Sequence, residues 1–285
     1  MEKFEGGTAV VTGGASGMGL AFAHRFADAG MNVVLADIEA EPLAMAEASV
    51  AAKGVKVMPV RTDVAKADDI ASLADKSFER FGRVNVLCNN AGVGGSPGAS
   101  WELSQKDWEW VIDVDLWSVI NGVRSFVPRM IASGEAGHIV NTASIAGLVT
   151  GLVGTPYQVA KFGVVALSEQ LFFELGRAGH HIGVSVLCPG LVNTNIYDSG
   201  RNRQPEYGES PTTAPDARLM SQAIEGLRPT MLQPADIAQM VFEAVSTNQL
   251  YIVPTGSDAL NAALIARMEN VIERKNPSLA ATALR

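Results

Sequence analysis

The stretch Thr12-Gly13-Gly14-Ala15-Ser16-Gly17-Met18-Gly19 decides the fold. It follows a short apolar run, Thr8–Thr12, that is typical of a buried strand, and it leads into a helical pattern over residues 18–29. Glycines let the chain turn tightly and bring its backbone close to a ligand, and the start of a helix attracts an anion. A strand, a glycine-rich turn and a helix in this order predict a dinucleotide site, although such a turn alone can be a plain chain reversal.

The alternation of short apolar runs and helical patterns continues along the chain. Six further strands are predicted at residues 32–36, 55–60, 84–88, 138–142, 182–187 and 250–253. Helices are predicted at residues 42–52, 70–81, 108–132, 157–177, 236–246 and 259–275. Uninterrupted apolar strands between helices indicate a parallel sheet that is covered on both faces. We therefore expect an α/β, Rossmann-type, doubly wound sheet of about seven strands.

The chain lacks an obvious linker or internal repeat, so we expect one domain over residues 1–285. Its Rossmann core is predicted at residues 5–193 and 234–255, with a C-terminal extension over 256–285. Residues 194–233 are rich in proline, glycine and polar side chains, and they are too many for an ordinary connection. This segment is predicted to bind substrate.

Composition limits the class of partner. The net charge is −8 and the isoelectric point is about 5.1. Because nucleic acids and anionic membranes attract basic surfaces, we expect neither of them as a partner. The sequence shows no apolar run long enough to span a membrane and no clear secretion signal, so we expect a cytoplasmic protein. Cys88 and Cys188 are interpreted as reduced, buried thiols. The four scattered histidines form no metal motif, and no metal site is predicted.

Asp37 ends the second predicted strand. A carboxylate there can accept both ribose hydroxyls of NAD and would repel the 2′-phosphate of NADP. Residues 13–18 contain no arginine or lysine to bind that phosphate. The sequence thus favours NAD, while NADP stays open and Asp37 could instead cap the next helix.

Tyr157 and Lys161 form a Tyr-x-x-x-Lys pair at the start of a helix, and Ser144 follows the fifth strand. Residues four apart share one helical face, so the phenol and the ammonium can point into one cleft. A phenol with a pKa of about 10 is a poor base at neutral pH, and a nearby cation favours its ionised form. Ser144 is suited to hydrogen-bond a substrate oxygen. Taken singly, these residues could be ordinary core or surface side chains.

These motifs, with Asn89-Asn90-Ala91-Gly92, resemble the short-chain dehydrogenase/reductase family over about residues 5–255. The resemblance implies hydride transfer between NAD and an alcohol or ketone, with Tyr157 as acid and base. The implied cofactor-binding residues are Gly13, Ser16, Gly17, Met18, Gly19, Asp37, Asp63, Val64, Asn90, Ala91, Gly92, Tyr157, Lys161, Pro189, Gly190, Val192 and Thr194.

The resemblance also implies individual roles. Asp63 would face the adenine amino group, and Asn90 to Gly92 would let the backbone approach the adenosine ribose. Lys161 would bond the nicotinamide ribose. Val192 and Thr194 would contact the carboxamide.

One position departs from the family. The segment Val114-Asp115-Leu116 carries Asp115 where the family has an asparagine. In related enzymes this residue's backbone carbonyl holds a water beside the lysine in a proton relay. A carboxylate lacks the amide donor and could raise the pKa of the lysine, so Asp115 is a relay candidate or an ordinary helix residue.

Substrate contacts are expected from residues 94–101, 145–155 and 195–229. The second segment is apolar and uncharged, which favours an apolar or aromatic substrate. The chain is also similar to a subgroup with members that oxidise aryl secondary alcohols at the α-carbon. Helices at 116–130 and 157–175 carry apolar residues in excess of one face. The resemblance implies that these helices pair subunits into a homodimer or homotetramer. The alternatives are an NADPH-dependent biosynthetic reductase and a non-catalytic NAD sensor on the same fold.

Overall fold

The computed structural model describes residues 4–96, 98–209, 222 and 224–277. Within them, seven strands form the sheet: β1 (Thr8–Thr12), β2 (Asn32–Asp37), β3 (Val57–Arg61), β4 (Val86–Asn89), β5 (Gly137–Thr142), β6 (Ile182–Leu187) and β7 (Tyr251–Ile252). The α-helices of this part of the chain are α1 (Gly17–Asp28), α2 (Ala40–Ala51), α3 (Ala67–Phe81), α4 (Gln105–Ile112), α5 (Ser118–Ser133), α6 (Thr155–Arg177), α7 (Pro234–Thr247) and α8 (Asp258–Glu273).

All seven strands pair in parallel, in the order β3-β2-β1-β4-β5-β6-β7. The strand order reverses between β1 and β4, which opens a crevice at the carboxyl ends of these two strands. Ligands of open α/β sheets bind in such a crevice. The predicted single-domain Rossmann-type fold is confirmed.

Buried apolar side chains cover both faces of the sheet. On one face, Val10 and Leu87 pack with helix residues that include Trp110 and Phe126. On the other face, Val11 and Val86 belong to the cluster that α1 and α7 complete, whose helix residues are Phe22, Phe26, Ile237 and Val241. Successive strand residues point to opposite faces, and both faces are buried, which explains why the strands are apolar throughout. Cys88 and Cys188 are free and buried, as predicted.

The prediction of one long helix at residues 108–132 is wrong in two respects. The helix begins earlier, at Gln105, because Ser104 and Asp107 form a capping box. It is also interrupted by a π-helical turn, Asp113–Trp117, between α4 and α5. Apolar periodicity does not distinguish a π turn from an α-helix, so the sequence pattern gave no sign of it.

Smaller differences concern element ends. Strand β3 runs from Val57 to Arg61 rather than over 55–60, and α6 begins two residues early, with Pro156 in its first turn. The predicted substrate segment 194–233 contains 3₁₀ turns at Asn195–Asn202, Pro205–Tyr207 and Arg228–Thr230. Other parts of the predicted segments, residues 97, 210–221, 223 and 278–285, lie outside the described residues. No helix among the described residues is long and apolar enough to cross a membrane.

Candidate active site

The glycines of the turn between β1 and α1 lie where a side chain would collide or strain the backbone. Gly13 and Gly17 have φ angles of 63° and 53°, a region that favours glycine. A Cβ on Gly19 would lie 2.0 Å from the carbonyl oxygen of Gly13, and one on Gly13 would lie 2.9 Å from Cα of Ala91. The turn therefore packs directly on the loop after β4.

The start of α1 offers free N–H groups. Within the described structure, the side chain of the N-cap residue, Ser16, makes no capping bond, and the first turn carries no acid. The first N–H groups of a helix have no partner inside the helix, and together with the helix dipole they favour an anion. This donor set fits the pyrophosphate of a dinucleotide.

Asp37 ends β2 beside the glycine turn. Its Oδ2 accepts a hydrogen bond from Ala15 N at 3.0 Å, and its Oδ1 accepts one from Glu39 N at 3.1 Å. Burial raises the pKa of Asp37, and these two N–H groups oppose the shift. The N-cap of α2 is Glu39, so Asp37 does not cap that helix.

Arg201 reaches the same place from the segment after β6. Its guanidinium donates to both carboxylate oxygens of Glu39, at 3.2 and 2.9 Å. This hydrogen bonding raises the pKa of Arg201, and the charge of Asp37 adds a smaller rise. From the sequence, Arg201 could meet a substrate carboxylate or lie in solvent. Its pairing with Glu39 was missed because 162 positions separate the two residues. Glu39 thus compensates the charge that Arg201 brings to this end of the crevice.

The structure gives the residues after β3 and β4 different surroundings. Asp63 Oδ1 accepts hydrogen bonds from Ala65 N and Gln204 Nε2, at 3.1 and 2.9 Å. The side chain of Val64 lies in the hydrophobic core, so only its backbone can reach a ligand. The side chain of Asn90 has a structural contact: its Nδ2 donates a hydrogen bond to Thr12 O at 3.0 Å, which links the end of β4 to β1.

Ser144, Tyr157 and Lys161 lie together, as their spacing predicts. Ser144 follows β5, and its Oγ accepts a hydrogen bond from Ala146 N at 3.1 Å, which leaves its O–H free to donate. The Ser144 hydroxyl lies close enough to Tyr157 to lower the pKa of the phenol. Lys161 Nζ lies 5.3 Å from the centroid of the Tyr157 ring.

Lys161 is held by two acceptors deep in the site. Its Nζ donates to Thr142 O at 3.3 Å and lies 3.6 Å from Asp115 Oδ1. The side chains of Lys161 and Asp115 are only 3% and 0% exposed. The two opposite charges thus form a buried ion pair behind the tyrosine.

Asp115 lies in the π-helical turn. Its Oδ1 also accepts a hydrogen bond from Val93 N at 2.9 Å, whereas its buried Oδ2 has no partner among the described residues. Burial raises the pKa of Asp115 to about 6, and the charge of Lys161 and the Val93 N–H limit the rise. The carboxylate that replaces the family's asparagine is therefore part of the site.

Tyr157 is surrounded by groups that disfavour its ionised form. Burial raises the pKa of the phenol, the carboxylate of Asp115 raises it further, and the hydrogen bond with Ser144 acts in the opposite direction. Without a cofactor, Tyr157 is thus protonated at neutral pH.

The loop after β6 presents its backbone to the crevice. Val192 pairs with Leu232 in an isolated parallel bridge, in which Leu232 N donates to Leu191 O and Asn193 N donates to Leu232 O. In such a bridge, the N–H and C=O of the central residue point the other way. Pro189 and Gly190 bond back to Ile145 and Pro254, and Thr194 packs against Gly17.

The predicted substrate segments differ in how far their side chains are buried. Ile145 and Val149 pack against Leu260 of α8, and Trp101 is 84% exposed. Sequence reasoning missed Tyr197, which lies close enough to Tyr157 and Arg228 for both to act on its pKa. An aromatic ring of the long segment thus lies near the reacting groups. The described residues contain no cluster of potential metal ligands.

Comparison with known proteins agrees with this geometry. A sequence model of the family described as short chain dehydrogenase matches residues 7–205. The chain belongs to the short-chain dehydrogenase family. A short-chain dehydrogenase/reductase from Burkholderia phymatum, crystallised with NAD, is similar at 40% identity with a TM-score of 0.91, over 98% of each chain.

Two curated relatives match most of the chain. The CLA biosynthesis dehydrogenase/reductase of Lactiplantibacillus plantarum is 34% identical over 89% of this chain and 89% of its own length. The C alpha-dehydrogenase of Sphingobium sp. strain SYK-6 is 34% identical over 89% of this chain and 82% of its own length. The chain is thus an oxidoreductase of a family that binds a nicotinamide cofactor and acts on small molecules.

Gly92 provides a test of the buried ion pair. A Cβ at this position would lie 2.8 Å from Asp115 Oδ1 and 3.4 Å from Lys161 Nζ, so the pair would have to move. We expect Gly92→Ala to lower kcat/KM for alcohol oxidation by about tenfold or more, because small displacements of reacting groups are costly. Gly176→Ala is the matched control, since its added Cβ meets open space. Equal activity of both variants and the parent protein would contradict this geometry.

Proposed function

We propose that the protein is an NAD-dependent oxidoreductase that interconverts a secondary alcohol and a ketone, with Tyr157 as acid and base. The observation that carries the proposal is the cluster of Ser144, Tyr157 and Lys161 beside the glycine turn, at the edge of the sheet where ligands of this fold bind. An alcohol held there would have its oxygen between the hydroxyls of Ser144 and Tyr157.

The protein's own residues perform the proton chemistry. In the reductive direction, the protonated Tyr157 gives its proton to the substrate oxygen while Ser144 donates a hydrogen bond to the same atom. In the oxidative direction, the Tyr157 phenolate takes the hydroxyl proton as hydride leaves the carbon. When bound, the oxidised cofactor would supply the acceptor for that hydride and a positive charge beside Tyr157.

Lys161 and Asp115 set the charge behind Tyr157. A cation such as Lys161, 5.3 Å from the ring centroid, favours the phenolate on general grounds. The Asp115 carboxylate raises the pKa of Tyr157 and so opposes it. With a pKa of about 6, Asp115 is ionised above that pH and protonated below it. The pair is thus close to neutral at physiological pH and becomes a net cation as the pH falls through 6. The orphaned Oδ2 of Asp115 is a place where a proton can be held during relay.

Three observations support NAD over NADP. Asp37 and Glu39 place two carboxylates at the end of β2, where the adenosine ribose of this fold binds. The approaching Arg201 is already engaged by Glu39. A similar structure binds NAD. A non-catalytic sensor is less consistent with the complete set of Ser144, Tyr157 and Lys161.

We propose an apolar or aromatic secondary alcohol as substrate. Tyr197 lies close enough to Tyr157 for that residue to act on its pKa, and segment 145–155 is uncharged. The similarity to the C alpha-dehydrogenase is consistent with a bulky aryl carbinol.

We also propose a homodimer or homotetramer. Phe173 and Val159 on α6 and Trp117 beside α5 are 52%, 47% and 47% exposed. These are the large apolar side chains that an interface along α5 and α6 would cover. A cytoplasmic location stays a prediction.

The proposed activity is tested by NADH or NADPH formation from a panel of secondary alcohols that includes aryl carbinols. We expect turnover with NAD in preference to NADP, and its loss in Tyr157→Phe. The Tyr251→Phe variant is the matched control, because Tyr251 bonds Glu169 on the surface. A Tyr157→Phe protein as active as the parent would contradict the acid–base assignment.

The assembly is tested by light scattering at micromolar protein concentration. The expected mass is two or four times that of the 30.0 kDa chain. Replacing Phe173 by lysine should shift the distribution toward the monomer, because it places a charge on the apolar surface. A monomeric parent protein would contradict the proposal.

A further inference from the structure

The segment from Thr194 to Gly208 crosses the carboxyl edge of the sheet, and we call it the strap. It contacts a loop beyond each of four strands. Thr194 Cγ2 would lie 3.1 Å from a Cβ on Gly17, after β1, and Ser199 Oγ accepts a hydrogen bond from Gly94 N, after β4, at 2.9 Å. Arg201 pairs with Glu39 after β2, and Gln204 bonds Asp63 after β3. The strap thus covers the crevice from the switch point to the outer strands.

A buried ion pair fixes the far end of the strap. Arg203 donates to Asp107 Oδ1 at 2.8 Å, and both side chains are 4% exposed. Arg203 also donates to the carbonyl oxygens of Tyr207 and Gly208 and lies over the ring of Trp110. These contacts leave the backbone around residue 204 little freedom.

The side-chain amide of Gln204 has only one sensible orientation. The Asp63 carboxylate is an acceptor, so the amide nitrogen must face it, and Nε2 donates to Oδ1 at 2.9 Å. The amide oxygen, Oε1, is then buried and has no partner among the described residues. A buried acceptor without a donor is costly, and such an atom is expected to receive a donor from a ligand.

The position of this acceptor indicates the donor. In a Rossmann-type fold the pyrophosphate lies at the start of α1 and the ribose at the end of β2, where Asp37 is. The base therefore extends past β2 toward β3, where Asp63 and Gln204 meet. The adenine amino group carries two N–H donors, and this corner offers two acceptor groups.

We infer that Gln204 recognises the adenine ring of the cofactor. Its Oε1 accepts one N–H of the exocyclic amino group, and the Asp63 carboxylate accepts the other. The inference rests on the proposed NAD function. It assigns adenine recognition to the strap, which also carries Tyr197 near the reacting groups.

The test compares the binding of NADH with that of the analogue in which hypoxanthine replaces adenine. The analogue has a carbonyl oxygen where adenine has the amino group, so it would face two acceptors. Kd values for both are measured by fluorescence titration of the parent protein, Gln204→Leu and Gln204→Met. Gln239→Leu is the matched control, because Gln239 is exposed and bonds Arg25.

We expect the parent protein to prefer NADH, and the preference to fall by about three- to tenfold in both Gln204 variants, as for one lost hydrogen bond. The control should keep the parent's preference. The ratio of the two Kd values distinguishes recognition of adenine from loosening of the strap, because a looser strap weakens the binding of both ligands equally.

Two results would overturn the adenine role. An equal loss of affinity for both ligands would make Gln204 only an anchor of the strap, and tighter NADH binding in the variants would mean that Gln204 obstructs the base. In either case, NAD-dependent turnover by the parent protein would leave the proposed function standing. A parent protein that binds neither NADH nor NADPH would contradict both.

Discussion

A lysine and an aspartate lie side by side in the interior, and the active site depends on this pair. Burying either charge alone would be strongly unfavourable, because water no longer solvates it. Together, Lys161 and Asp115 compensate each other at 3.6 Å, and Thr142 O and Val93 N complete their hydrogen bonds. The pair thereby joins helix α6, the π-helical turn and the loops after β4 and β5. It holds the ammonium next to Tyr157, where its charge acts on the phenol.

The pair also explains local features that look unrelated in the sequence. The π-helical turn carries Asp115 to a point where its carboxylate meets both Val93 N and Lys161. Gly92 is needed because a side chain there would collide with the carboxylate. An aspartate keeps the backbone carbonyl that the family's asparagine has, and it adds a charge on its side chain. In this protein the charge of the lysine is therefore balanced inside the site, and the balance depends on pH.

The sequence predicts the features that are encoded locally. The glycine turn is recognised from its spacing, and the Tyr157–Lys161 pair from a separation of one helical turn. The parallel sheet follows from uninterrupted apolar strands. The sequence does not predict the contacts of the long segment after β6, because these contacts join residues that are far apart in the chain. Arg201 on Glu39 and Gln204 on Asp63 follow no periodic pattern, and their partners are known only once the strap is placed.

The most direct test of the central claim is the pH at which Tyr157 ionises. It is measured by the ultraviolet absorbance of tyrosinate, with the spectrum of Tyr157→Phe subtracted to remove the other tyrosines. If the buried pair controls Tyr157, removing either of its two charges should shift the pKa of Tyr157, and the two shifts should have opposite signs. Asp115→Asn removes the negative charge and should lower the pKa of Tyr157, whereas Lys161→Met removes the cation and should raise it. An unchanged titration in both variants, or shifts in the same direction, would contradict the claim that this pair controls the tyrosine.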